Sequence, residues 1–208
     1  MTPPETVREL KRSVRRELSA RRKALPTAEV DRQNSEIIAH ARELLRGLPE
    51  PRLRIAAYHA GEREPGGKLL VDSLYGDGHE VLLPISGERG ELTWARYQGP
   101  EATAPGRLGI SEPTGERLGT DALAECAVIF VPALGVTPGG VRMGKGGGYY
   151  DRTLSQLPDN GPLTVVLLYD AEITDTIPTE AHDFGVAAAI TPRGLMSFPG
   201  NQDDLSPV

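Results

Sequence analysis

The densest chemistry in the chain lies between positions 139 and 154, which read GGVRMGKGGGYYDRTL. Glycines let backbone N–H groups approach an anion closely, and successive N–H groups in a tight turn make a concave seat for phosphate oxygens. Arg142 and Lys145 add formal positive charge. Tyr149, Tyr150 and Asp151 follow at once with two rings, two hydroxyls and a hard carboxylate. Phosphate binding is the chemistry these residue types support in this order. The loop follows the apolar run CAVIFVP (126–132) and precedes a helical stretch over about 149–157. A strand–loop–helix context puts it at the carboxyl end of a strand, where open α/β sheets bind ligands, and the helix start adds partial positive charge.

Two familiar phosphate motifs do not fit. The segment from Gly139 to Lys145 satisfies G-x-x-x-x-G-K, yet Gly146 stands where a P-loop needs a Ser or Thr hydroxyl. A dinucleotide fingerprint counted from Gly144 and Gly146 would put its third glycine on Tyr149. The competing reading is a flexible cationic linker. A bulky residue at Gly147, where close backbone approach and positive φ are expected, separates the two. Lys11 and Arg15 form a second cationic pair, at i and i+4 on one helix face, able to reach one anion or simply to face solvent. On pattern alone, Asp151 reads as a first-turn helix acid and Asp183 as a turn residue before Gly185. The histidines at 40, 59 and 79 share no metal-ligand spacing, and Cys126 reads as core.

The elements that must position these groups alternate between helix and strand. TPPETVRELKRSVRRELSARRKAL opens with a capping pattern of Thr2, Pro3 and Glu5 and carries an apolar stripe of Val7, Leu10, Val14 and Leu18, ended by Pro26. A second helix is expected over 27–48, with Ile37, Ala41 and Leu45 on its apolar face. Strands are expected at 53–58 and 80–85 around a helix near 68–75, a pattern that gives a parallel pair. Segment 91–97 alternates and belongs at a sheet margin; 98–120 reads as a long functional loop. Buried strands follow at 126–132 and 163–169, and a last, weaker one at 186–191. The fold class is α/β: a central, mostly parallel sheet covered by helices, Rossmann-like. Residues 1–200 read as one domain and 201–208 as a frayed tail.

Composition narrows the class of function. The 208 residues have a net charge of −6, but residues 1–23 carry eight basic groups against three acidic ones. An acidic body argues against general nucleic-acid binding, and a local basic segment suits a small anion. One cysteine excludes an internal disulfide and fits a reducing compartment. No apolar run approaches a signal-peptide core or a membrane span, so a cytoplasmic protein without membrane contact is expected.

The run VPALGVTPGGVRMGKGGGYYDRTL (131–154) closely resembles the signature of the 5-formyltetrahydrofolate cyclo-ligase family. The similarity extends through KRSVRRELSARR, the EPGG turn, GISEPTGE and HDFGVAAAIT, and so covers nearly the whole chain. Lys145 stands where many members carry arginine and Met143 where many carry leucine. The resemblance implies ATP- and Mg²⁺-dependent closure of 5-formyltetrahydrofolate to 5,10-methenyltetrahydrofolate, on a fold like that of sugar-phosphate isomerases and CoA-transferases. It implies that Lys11, Arg142 and Lys145 serve catalysis. ATP would be held by Lys11, Arg15, Arg142, Met143, Gly144, Lys145, Gly146, Gly147, Gly148, Tyr149 and Tyr150. The reduced folate would meet Glu64, Trp94, Tyr149 and Tyr150, and Mg²⁺ would meet Asp151 and Asp183. The partners implied are small molecules alone, with the chain a monomer or weak homodimer. Two other classes stay open at this point, an isomerase- or transferase-like enzyme of the same fold and a non-catalytic nucleotide-binding regulator.

Overall fold

Continuous apolar strands, unlike alternating ones, require burial on both faces. The computed structural model, which describes residues 6–107, 109–158, 160–180 and 183–198, supplies it. Two long helices come first, α1 (Val7–Ala24) and α2 (Thr27–Arg46). Then follow β1 (Arg54–Ala56), α3 (Leu69–Gly76), β2 (Glu80–Ser86) and β3 (Leu92–Arg96). A small hairpin, β4 (Thr103–Pro105) with β5 (Ser111–Pro113), leads to β6 (Val128–Pro132). A second hairpin, β7 (Gly135–Val136) with β8 (Arg142–Met143), leads to α4 (Tyr149–Leu154). The chain closes with β9 (Leu163–Leu167), β10 (Ala188–Thr191) and β11 (Gly194–Ser197).

Seven strands form one sheet in the order β11-β10-β9-β6-β1-β2-β3. The five inner strands are parallel, and each edge strand is antiparallel to its neighbour. Side chains of β6 alternate between two cores: Val128 and Phe130 join the cluster that includes Ile37 and Leu70, while Ile129 and Val131 join Trp94, Leu123 and Leu154. The order in which successive strands are added along the sheet reverses between β1 and β6, which opens a crevice at their carboxyl ends.

Four sequence expectations change. The capping box is Thr6 with Glu9, whose reciprocal bonds measure 3.3 and 2.9 Å; Thr2, Pro3 and Glu5 lie outside the described residues, as do residues 201–208. Only the later part of the α1 stripe is covered: Leu18 is buried, but Val7 and Leu10 are exposed. The long loop contains the β4–β5 hairpin, tied down where Ser86 N donates to Glu112 at 2.9 Å. The strand at 186–191 is not the last, because β11 pairs with it.

Helix α1 crosses the carboxyl edge of the sheet and is locked there by a buried ion pair. Arg22 Nε and Nη2 each donate to Glu172 at 2.7 Å, and Nη2 also reaches the Ala133 carbonyl at 2.9 Å. Glu172 accepts a further bond from Tyr169 N at 2.9 Å. Burial opposes both charges: it pushes the Glu172 carboxyl up, and the Arg22 cation overcomes it through its hydrogen bonds to Glu172, which raise the guanidinium's pKa. Removing one partner of such a pair strands the other in the core. Glu172→Gln is therefore expected to cost about 3–5 kcal/mol in urea unfolding. A loss under about 1 kcal/mol would mean that apolar packing alone docks α1.

Candidate functional site

A cleft of about 1140 Å³ opens at the carboxyl edge of the sheet, beside the β1/β6 crevice. One wall is α1 with Lys11 and Arg15, another is the β7–β8 hairpin with the glycine loop, and a third is the segment after β1 that carries Tyr58 and Glu64. The hairpin turns tightly at Gly140, whose φ is +83° and whose α-carbon leaves no room for a Cβ, since one would stand 2.9 Å from Val186 O. Its second strand delivers Arg142 inward, 5% exposed, and Met143 into a cluster with Leu18, Leu134 and Ile177.

The loop itself, residues 144–148, is held by its carbonyls. Arg15 Nε donates to Gly144 O at 3.0 Å, and Arg152 Nη2 to Gly147 O at 2.9 Å. The N–H groups of Lys145, Gly146, Gly147 and Gly148 donate to no group among the described residues. Four successive unpaired donors beside cationic side chains are the groups from which a backbone anion seat can be built. The positive φ values fall on Gly146 and Gly148, at +100° and +68°, and not on Gly147, where a Cβ would instead strike the Tyr149 ring at 2.9 Å. Helix α4 spans only six residues, so the amides of the loop, rather than a helix terminus, carry the partial charge.

Three cations of the cleft, Lys11, Arg142 and Lys145, meet carboxylates. Lys11 Nζ, on a residue 7% exposed, lies 2.6 Å from both Asp183 oxygens and 2.7 Å from Glu180. Burial opposes that charge, but the bonds to Asp183 and Glu180 prevail and raise the amine's pKa. Arg142 Nη2 donates to Asp151 at 2.5 Å. Lys145 pairs with Glu64, which also accepts from Gly61 N at 2.7 Å. In the lining of the cleft, the buried Arg142 Nε and Tyr150 hydroxyl have no partner among the described residues. Burial lowers the pKa of Arg142 and raises that of Tyr150, so the phenol keeps its proton.

Most of the residues named from sequence thus meet at one cleft: Lys11, Arg15, Glu64, Arg142 to Asp151, and Asp183. Trp94 does not. It is 0% exposed, outside the lining, and packs edge-on behind Tyr150 at 6.3 Å, so it supports a wall rather than forming one. Met143 contributes through packing, because its side chain is buried. Asp151 and Asp183 are each bound to a cation, and no cluster of three metal-ligating side chains occurs among the described residues. Sequence reasoning missed Glu180, Arg152 and Tyr58. Glu180 lies just before one recognised motif and Arg152 within another, but neither carries a pattern of its own. Tyr58 ends an apolar strand, and its hydroxyl fixes the Glu64–Pro65 turn by donating to Pro65 O at 2.9 Å.

No helix among the described residues is long and apolar enough to cross a membrane. Among known proteins, the chain is 34% identical over 160 residues to a 5-formyltetrahydrofolate cyclo-ligase of Mycolicibacterium smegmatis, covering 74% of this chain and 81% of that one. A protein of the same name from Mus musculus is 28% identical over 200 residues, covering 87% and 93%. Its fold superposes with a TM-score of 0.75 on the NMR structure of the Aquifex aeolicus 5,10-methenyltetrahydrofolate synthetase, 26% identical, over 95% of this chain and 97% of that one. The 5-formyltetrahydrofolate cyclo-ligase family matches residues 7–192, and with the cleft, its glycine loop and its paired charges in place, the chain belongs to that family.

Proposed function

We propose that this chain closes 5-formyltetrahydrofolate to 5,10-methenyltetrahydrofolate, with ATP as phosphoryl donor and Mg²⁺ bound to the nucleotide. The observation that carries the reading is the run of four unpaired amides beside Arg142, in one cleft with Glu64. That cleft has an anion seat at one side and a carboxylate for N–H donors at the other. Its volume of about 1140 Å³ exceeds the usual range for one small ligand and suits two. A cytoplasmic enzyme acting on small molecules, as a monomer or weak homodimer, is the simplest setting for it.

A formyl amide is a poor electrophile, and its oxygen is a poor leaving group. Attack of the formyl oxygen on the γ-phosphorus forms an O–P bond and releases ADP. The N10 lone pair then attacks the activated carbon, the C–O bond breaks with loss of phosphate, and N10 gives up its proton as the ring closes. No enzyme nucleophile is needed, so positioning and charge neutralisation carry the catalysis. The loop amides and Arg142 bind phosphoryl oxygens. Arg142 Nε and the protonated Tyr150 hydroxyl, both unpaired in the protein alone, are donors ready for substrate oxygens. Lys11, Arg15 and Lys145 neutralise the remaining charge, and Glu64 accepts from the pterin's amino and ring N–H groups. Met143, Gly144 and Tyr149 shape the nucleotide side.

Asp151 fits Mg²⁺ as a single carboxylate acting with phosphate oxygens, since its side chain is 42% exposed and only one of its oxygens is bonded to Arg142. Asp183 fits once Lys11 turns from it to a phosphate. The metal, when bound, screens the phosphoryl charge.

Three outcomes test the reading. Incubation with 5-formyltetrahydrofolate, ATP and Mg²⁺ should give the near-ultraviolet absorbance of the methenyl product together with stoichiometric ADP; absence of either defeats it. Lys11→Ala should raise the KM for ATP by roughly tenfold or more and leave that for the folate nearly unchanged, with Glu64→Gln doing the reverse. Identical shifts in both constants would remove the division of the cleft into two sides. In magnesium titrations at saturating ATP, Asp151→Asn should need more metal for half-maximal rate. Curves superimposable on wild type would leave Asp151 as a partner of Arg142 and nothing more.

A further inference from the structure

We propose that Arg152 is a positioning residue, the group that fixes the amides of the glycine loop for the phosphates of the nucleotide; this rests on the nucleotide reading given above. Its guanidinium spans two segments. Nη2 donates to Gly147 O at 2.9 Å and, together with Nε, to Gly90 O at 2.6 and 3.1 Å. Its Cζ also lies 5.7 Å from the centre of the Tyr149 ring. One side chain therefore ties the glycine loop to the turn between β2 and β3 and covers the ring that follows the loop.

The backbone on both sides is shaped around this group. Gly90 and Gly148 have φ of +83° and +68°. A Cβ on Gly90 would stand 2.2 Å from Nη2, and one on Gly148 would stand 2.7 Å from Nη1. Two glycines from distant segments thus leave the space that the guanidinium fills, and a methyl group at either would displace it.

Peptide geometry turns this anchor into a chemical role. The described peptide bonds include no cis bond. In a planar trans peptide the C=O and N–H point in opposite directions. Holding Gly147 O therefore aims the N–H of Gly148 away from Arg152. Arg15 acts in the same way at the other end, where its bond to Gly144 O aims the N–H of Lys145. The four unpaired amides lie between two carbonyls, each held by an arginine. A guanidinium can bond two carbonyls and cover a ring at once, whereas an ammonium is a single point of charge.

The test compares wild type, Arg152→Ala and Arg152→Lys. The ligand-free readout is the rate of tryptic cleavage after Lys145. The second readout is calorimetric titration with ATP and Mg²⁺, and separately with 5-formyltetrahydrofolate. Because Arg152 is exposed, Arg152→Ala should melt close to wild type. It should be cleaved severalfold faster and bind ATP about tenfold more weakly, with folate binding unchanged. Arg152→Lys should fall between and serves as the probe if the alanine variant folds poorly. Cleavage and ATP affinity equal to wild type in both variants overturn the proposal. So does an equal loss for both substrates, which marks general support of the fold. A wild-type protein that binds no ATP overturns the nucleotide reading instead, and the ligand-free cleavage rate distinguishes that failure from a failure of Arg152.

Discussion

The cleft depends on the buried pair of Arg22 and Glu172. Arg22 also reaches the carbonyl of Ala133 just after β6, and Glu172 sits just after β9, so one guanidinium ties α1 to two neighbouring strand ends. Two turns earlier on the same helix stands Arg15, and one turn before that Lys11. At that end Val7 and Leu10 are exposed, so apolar packing adds little to the polar contacts of Lys11 and Arg15. An ion pair is an unusual choice of anchor, because an apolar pair of equal volume commonly does as well energetically. Its directional bonds do what apolar contacts do not: they fix the rotation of α1, and with it which side chains face the cleft.

The charges within the cleft are arranged as exchangeable partnerships. Lys11 with Asp183, Arg142 with Asp151 and Lys145 with Glu64 each join a group assigned to the nucleotide with a carboxylate assigned to metal or folate. An isolated buried cation would be costly, and these carboxylates remove that cost in the ligand-free protein. A polyphosphate offers the cations a replacement counter-charge. In the reaction proposed above, the carboxylates would then become available, Glu64 to N–H donors and the aspartates to a divalent ion. Arg142 Nε and Tyr150 OH have no partner among the described residues, and in the proposed reaction a substrate oxygen would supply one.

The inner strands were legible because a parallel sheet buried on both faces demands long apolar runs, and 126–132 and 163–169 have them. The glycine loop was legible as a loop because five glycines between 140 and 148 disfavour a regular helix or strand. The edge strand Gly194–Ser197 was not, because its side chains are largely exposed and its pairing is set by the neighbour. Nor was the hairpin between 103 and 113, whose glycines and prolines look like an irregular loop until the antiparallel register is seen. The cap of α1 was ambiguous in principle: TPPE and TVRE satisfy the same capping pattern one turn apart. Trp94 shows the limit most plainly. An aromatic in an alternating edge segment suggests a ligand wall, and only packing shows that Tyr150 stands between it and the cleft. Arg152 was invisible for the opposite reason, since what it grips are main-chain carbonyls that no sequence pattern records.

The reach of α1 has a consequence for synthesis. Lys11 waits for Asp183, 172 positions later, and Arg22 for Glu172, 150 positions later. Domains form as units during translation, and contacts between distant segments form slowly. Helix α1 therefore has no complete docking surface until the segment that carries Glu172 and Asp183 has also emerged. A truncated product lacking the last third of the chain would carry the basic helix with none of its acidic partners.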